Sequence, residues 1–109
     1  MTLGVELDKT RIQYAKSNSL VYKVPPSKIR FVNSSISEVD FIDELDMPKP
    51  SIGQKIKELV FFFDPPWGGV DYQDKDKMTF DDFKPYPLKE TLIRAFSLTQ
   101  NIMLKLPKN

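Results

Sequence analysis

Four residues at the end of an apolar run are the strongest candidates for chemistry in this sequence. Residues 59–63, Leu-Val-Phe-Phe-Phe, are followed by Asp64, Pro65, Pro66 and Trp67. A short apolar run closed by turn-forming residues is typical of a strand buried on both faces of a parallel sheet. The two prolines end the strand because they fix φ and lack a backbone N–H. The pattern predicts Asp64 and Trp67 at the carboxyl end of a central strand, where open α/β sheets bind ligands.

This corner suits the recognition of a flat aromatic amine. The carboxylate of Asp64 and the carbonyl of Pro65 are two acceptors for amine N–H groups, and holding both would orient the nitrogen lone pair. Trp67 provides a face on which a base can stack, an interaction worth ~1–3 kcal/mol. The structural alternative is a proline-rich surface turn in which Trp67 anchors the core.

The Asp-Pro-Pro-aromatic pattern resembles the amino-group methyltransferases that use S-adenosylmethionine. The longer string at residues 65–72, Pro-Pro-Trp-Gly-Gly-Val-Asp-Tyr, resembles the trimethylguanosine synthase family, which hypermethylates 7-methylguanosine RNA caps. Segments at residues 4–8, 18–24 and 101–109 also agree, in the same order along the chain. The resemblance implies methyl transfer to the exocyclic 2-amino group of the capped end of small nuclear and small nucleolar RNAs, and a nuclear location.

The resemblance assigns catalytic roles to one group of neighbours: Asp64, Pro65, Pro66 and Trp67. It assigns substrate binding to a second group: Trp67, Tyr72, Lys108 and Asn109. Within that group, Tyr72 and Lys108 would lie near the cap phosphates, although a lysine beside the chain end is otherwise simply solvated. The family commonly has serine at the position of Asp64. That departure keeps a second function open, methylation of an amine on another DNA or RNA base.

Cofactor binding is implied for three residues: Glu6, Ser35 and Asp64. Glu6 ends a predicted strand, and an acidic residue at this place in nucleotide-binding α/β folds accepts hydrogen bonds from ribose hydroxyls. The alternative is a favourable charge beside a helix N-terminus. The family usually has aspartate where Ser35 stands, so contact with the adenine of S-adenosylmethionine rests on one hydroxyl. A strand-ending turn is the competing explanation for Ser35.

The elements that must position these residues alternate between strands and helices. We predict strands at 2–7, 28–32, 59–63 and 101–106, and helices at 9–22, 37–45 and 88–98, with Asp8 and Ser37 as N-caps. A long loop is expected at 47–57 and a charged loop at 71–82. This order predicts an α/β fold with a mostly parallel sheet, a partial Rossmann-like methyltransferase fold in one truncated domain, residues 1–109.

The helices should bury one face each. Apolar and small residues at steps of three and four predict the buried face of the first helix: Ile12, Ala15, Ser19 and Tyr22. The same spacing predicts a second set in the last helix: Leu88, Leu92, Ala95 and Phe96. Between them, the short middle helix should bury Val39, Ile42 and Leu45.

Part of the expected fold is not found in these residues. Nucleotide-binding folds place a first strand and a Gly-rich turn about 20 residues before the acidic residue, whereas Glu6 has five residues ahead of it. The four glycines form no G-x-G-x-x-G pattern. We therefore expect a C-terminal part of a catalytic domain that, alone, binds cofactor weakly or not at all and does not turn over. A third function follows, a non-catalytic cap-binding remnant. Isothermal titration with S-adenosylmethionine tests the expectation.

The strand that is not found ought to lie between strands 2–7 and 59–63 in the sheet, and its absence from these residues has a consequence. Either strands 2–7 and 59–63 pair directly, or the incomplete sheet associates with another chain through its open edge.

Sixteen Lys and Arg balance fifteen Asp and Glu, so no bulk positive field favours RNA binding. The chain has no Cys and no His, which argues against disulfides and metal. No apolar run could span a membrane and no secretory leader is apparent, so we expect an intracellular protein.

Overall fold

The chain folds into two α/β units, each built around one pair of parallel strands. The computed structural model describes residues 1–65 and 87–106. Contacts divide the chain into Met1–Lys49 and Pro50–Asn109, and each unit is described by itself. The predicted α/β class with parallel strands is confirmed. That residues 1–109 form a single methyltransferase domain stays a prediction.

The first unit begins with a strand–helix–strand element. Strand β1 (Thr2–Glu6) is followed by helix α1 (Lys9–Val21) and strand β2 (Ile29–Asn33). The strands pair in parallel, and Glu6 lies opposite Asn33 at their carboxyl ends. Gly4 lies opposite Phe31, and a Cβ at Gly4 would be 3.1 Å from that ring. A residue without a side chain therefore permits the close approach of the two strands.

Both ends of α1 are closed by local hydrogen bonds. The Asp8 side chain accepts from two backbone N–H groups of the first turn, at 2.8 and 3.2 Å, as predicted for an N-cap. At the other end Lys23 has φ of 56°. The N–H of Val24 then donates to Ser19 and that of Lys23 to Leu20, the Schellman arrangement. The helix thus ends at Val21, one residue before the predicted boundary.

The predicted buried face of α1 is correct except at its last residue. Ile12 is buried, and Ala15 and Ser19 are half-buried. Tyr22 is exposed, so its place on this face was wrong. The reason is that the helix ends at Val21, and Tyr22 is the cap residue that leaves the helical path.

Two short helical turns follow β2. A 3₁₀ turn (Ile36–Glu38) is capped by Ser35, whose side chain accepts from the N–H of Ser37. Helix α2 (Phe41–Glu44) is capped by Asp40, whose Oδ1 accepts from the N–H of Asp43 at 3.0 Å. Each turn therefore has its own polar cap.

The prediction of one helix at 37–45 capped by Ser37 was wrong. Val39 adopts an extended backbone, with φ of −87° and ψ of 128°, and separates the two turns. Burial explains that conformation, because Val39, Phe41 and Ile42 are all buried in this unit. Leu45, which was predicted to be buried with Val39 and Ile42, is only half-buried.

The second unit repeats the strand–helix–strand pattern. Strand β3 (Val60–Phe63) and strand β4 (Asn101–Leu104) are parallel, and helix α3 (Leu88–Leu98) precedes β4. Phe63 lies opposite Leu104, so both strands end at the same level. Strand pairing is thus β1 with β2 and β3 with β4. The direct pairing of strands 2–7 and 59–63, one of two predicted alternatives, is not found among the described strands.

Strand β3 is buried on one face only, so the prediction of burial on both faces was wrong. Leu59 and Phe63 are 7% and 5% exposed, whereas Val60 and Phe62 are 60% and 62% exposed. Successive side chains of a strand point to opposite faces, and this alternation shows that one face has no cover among the described residues. Met103, which lies opposite Phe62 on β4, is exposed on the same face.

Thr99 and Asn101 join the beginnings of β3 and β4. Thr99 is fully buried; its Oγ1 donates to the carbonyl of Leu59 at 2.8 Å and accepts from the N–H of Asn101 at 3.1 Å. The Asn101 side chain donates to the carbonyls of Lys57 and Leu59, at 2.7 and 3.2 Å. These polar contacts hold the register that brings the two strand ends together.

Helix α3 buries Leu88, Thr91 and Ala95, which follow at steps of three and four. Leu92 is half-buried, while Phe96 is 49% exposed, so its predicted inward position was wrong. Thr91, a small polar residue, is buried on this helix instead of Phe96.

In the part of the chain that the structure describes, no helix is both long and apolar enough to cross a membrane.

Candidate functional site

The carboxyl end of β3 presents an exposed carboxylate between two buried residues. Asp64 directly follows β3; Phe63 before it and Pro65 after it are both buried. The Phe63 ring also stacks on Phe61, with ring centroids 5.5 Å apart and planes at 9°. Residues that precede a proline are restricted to extended backbone conformations. The backbone of Asp64 is therefore held from both sides while its side chain faces solvent.

Lys105 forms an ion pair with this carboxylate. Its Nζ lies 3.5 Å from Oδ2 of Asp64. The N–H of Lys105 donates to the carbonyl of Phe63 at 2.9 Å, which continues the β3–β4 ladder by one step. The two side chains thus face each other because the paired strands end at the same level. Lys105 was missed in the sequence because the strand predicted at 101–106 included it, whereas β4 ends at Leu104.

In the first unit, the carboxyl end of β1 presents Glu6. One carboxylate oxygen, Oε1, accepts from the N–H of Asp8 at 3.0 Å. The carbonyl of Glu6 accepts from the N–H of Ser34 and from the side chain of Asn33, both at 3.1 Å. The Asn33 side chain also reaches the carbonyl of Leu7 at 2.9 Å. Glu6 is therefore fixed at the strand end by its backbone and by one of its two carboxylate oxygens.

Ser35 lies at the neighbouring strand end in the same unit, one residue beyond the Ser34 that bonds to Glu6. Its hydroxyl caps the 3₁₀ turn and lies 2.8 Å from the hydroxyl of Ser37. This use agrees with the strand-ending turn that was the alternative to cofactor binding. Contact with adenine stays a prediction.

Glu6 suits one part of the implied cofactor. Its Oε2 receives no hydrogen bond from the described residues, and a carboxylate with one oxygen fixed and one available suits a ribose diol. The 109 residues contain no Gly-rich turn for the methionine end. Among residues 1–65 and 87–106, no group of three or more His, Cys, Asp or Glu residues could hold a metal ion.

Five of the predicted site residues lie outside the described part of the chain: Pro66, Trp67, Tyr72, Lys108 and Asn109. The charged loop predicted at 71–82 also lies there. Their roles stay predictions. Of the described site residues, Glu6 ends β1 and Ser35 lies two residues beyond the end of β2 in one unit, and Asp64 and Pro65 follow β3 in the other.

The chain belongs to a known methyltransferase family. A sequence model of the RNA cap guanine-N2 methyltransferase family matches residues 1–109, the whole chain. This confirms the resemblance drawn from residues 65–72 and the segments that agree with them.

A curated relative carries the same assignment. The trimethylguanosine synthase of Schizosaccharomyces pombe is 28% identical to this chain over 107 residues, which is 98% of the chain and 41% of the relative. The chain therefore spans well under half of the length of that relative. No solved structure matches the chain.

Proposed function

We propose that this protein acts in the transfer of a methyl group from S-adenosylmethionine to the exocyclic 2-amino group of 7-methylguanosine RNA caps. Membership of the RNA cap guanine-N2 methyltransferase family supports this reaction. The structural observation that carries it is the exposed carboxylate of Asp64, held at the carboxyl end of β3 between buried neighbours.

On the substrate side, Asp64 and Pro65 hold the amine. Its nitrogen is a poor nucleophile because its lone pair is delocalised into the ring. The Asp64 carboxylate and the Pro65 carbonyl accept one N–H each, which turns the lone pair toward the methyl donor. Trp67 stacks on the base, whose 7-methyl group makes it cationic and strengthens the contact. Pro66 stiffens the corner, and the RNA beyond the base is bound by Tyr72, Lys108 and Asn109.

On the cofactor side, Glu6 holds the ribose hydroxyls and Ser35 contacts the adenine. S-adenosylmethionine supplies the methyl group as a sulfonium when it is bound. The proposed framework is a Rossmann-like methyltransferase sheet, for which these residues supply two pairs of parallel strands. Because the 109 residues hold no Gly-rich turn, we propose that the chain by itself binds cofactor weakly or not at all and does not turn over.

A chimera tests the reaction. This chain replaces its matching segment in the trimethylguanosine synthase of S. pombe, and transfer of radiolabelled methyl to 7-methylguanosine-capped RNA is measured. We expect transfer that falls by about 10²-fold or more for Asp64→Ala, because one preorganised acceptor is lost. Tyr22→Ala, an exposed residue outside the site, is the control and should leave transfer unchanged.

The same assay separates the competing functions. Transfer to an adenine-containing duplex but not to capped RNA would contradict the cap reaction and favour a base-flipping enzyme. Binding of cap with no transfer by the chimera would favour a non-catalytic cap-binding protein. From the family resemblance we also propose small nuclear and small nucleolar RNAs as substrates and a nuclear location, which fluorescence imaging of the tagged protein tests.

A further inference from the structure

The backbone of Lys105 is fixed beside Asp64. Leu104, the last residue of β4, is in register with Phe63, the last residue of β3. The next N–H along β4, that of Lys105, donates to the carbonyl of Phe63 at 2.9 Å. Lys105 and Asp64 are therefore the first residues after two paired strands, and the pairing itself sets their separation.

The ion pair between them contributes little to the stability of the fold. Its Nζ and Oδ2 atoms are 3.5 Å apart, and the side chains are 56% and 49% exposed. Exposed pairs of this kind have small coupling energies because water screens the charges. A variant that loses the pair should therefore still fold.

The proposed reaction requires more order at Asp64 than its burial provides. An acceptor that orients an amine must be held close to one geometry. The backbone of Asp64 is restrained by the buried Phe63 and Pro65, whereas its side chain is 49% exposed to solvent. Among the described residues, the ammonium of Lys105 is the group that contacts its carboxylate, and it does so at one oxygen.

We propose that Lys105 is a positioning residue: its ammonium holds Oδ2 of Asp64, so that Oδ1 is left to accept an N–H of the substrate amine. This inference rests on the proposed function for the role of the held oxygen. The holding of the carboxylate itself is independent of any substrate. The two parts can therefore be tested separately on the 109-residue chain.

The first experiment measures the Asp64 rotamer without ligand. Three-bond NMR couplings between Hα and Hβ of Asp64 are compared in wild type, Lys105→Met, Lys105→Arg and Lys57→Met. Lys57 is exposed before the opposite end of β3, so its variant is a matched loss of charge. We expect one dominant rotamer in wild type, Lys105→Arg and Lys57→Met, and averaged couplings in Lys105→Met. Unchanged couplings in Lys105→Met would overturn the proposal.

The second experiment measures binding of a 7-methylguanosine cap analogue by quenching of Trp67, the single tryptophan. Lys105→Met should weaken binding by up to about fivefold, with recovery in Lys105→Arg, and should have no further effect in an Asp64→Asn background. Equal weakening in both backgrounds would mean direct contact with the ligand and would overturn the positioning role. A wild-type chain that does not bind, but whose couplings respond to Lys105→Met, contradicts the proposed function and supports the positioning.

Discussion

Thr99 and Thr91 form a matched pair for testing how the site is held. Both are buried, at 0% and 1% exposure, and valine replaces threonine with nearly the same shape. Thr99 makes two hydrogen bonds that join the beginnings of β3 and β4. Thr91 has no hydrogen-bond partner for its Oγ1 in the described structure. The same substitution should therefore have opposite effects at the two positions.

The magnitudes follow from these contacts. Thr99→Val loses two bonds of about 0.5–1.5 kcal/mol each, so the free energy of unfolding should fall by about 1–3 kcal/mol. The Thr91 hydroxyl loses its hydrogen bonds to water on burial and gains no protein partner among the described residues. Thr91→Val removes this hydroxyl, so the free energy of unfolding should rise by about 1 kcal/mol. Each kcal/mol corresponds to roughly 4–8 °C in Tm for a domain near this size.

Urea denaturation followed by circular dichroism measures both variants, with unchanged m values as the check that they share one unfolding transition. Thr99→Val should also reduce the order at Asp64, because the register that it holds places Lys105 beside that carboxylate. Equal shifts for the two variants, or greater loss for Thr91→Val, would refute the assignment of the strand connection to Thr99.

Three further substitutions test the two units separately. Asp8→Ala removes the side chain that caps α1 and should lower the free energy of unfolding by about 1 kcal/mol, with reduced helical ellipticity; an unchanged denaturation curve would argue against the cap. Phe63→Ala should cost about 3–5 kcal/mol because Phe63 is buried, whereas Phe62→Ala, on the exposed face, should cost far less. Comparable losses in thermal denaturation of the two phenylalanine variants would contradict the one-sided burial of β3.

Features set by neighbouring residues could be predicted from the sequence. The cap at Asp8 depends on a side chain and the two N–H groups that follow it, so the residue type and its place before an apolar pattern were sufficient. The order of strands and helices was predicted for the same reason. Asp64 could be placed at a strand end because prolines follow an apolar run.

Features set by distant residues could not be predicted in this way. The apolar run at 59–63 carries no information on which of its faces a neighbour covers, and Val60 and Phe62 prove to be exposed. The pair of Lys105 with Asp64 depends on the register of β3 and β4, which connects residues 41 positions apart. Ser35 and Asp40 are the caps instead of Ser37, because the extended backbone of Val39 divides the predicted helix into two turns.

Quenching of Trp67 by 7-methylguanosine cap analogue, compared with an unmethylated guanosine cap analogue, tests the central claim most directly. If Trp67 and Asp64 hold a cationic base at the end of β3, the methylated cap should bind at least about twofold more tightly, from the added cation–π attraction. The preference should weaken in Asp64→Asn, which removes the facing negative charge. Equal binding of the two caps, or no quenching by either, would contradict cap recognition at this strand end.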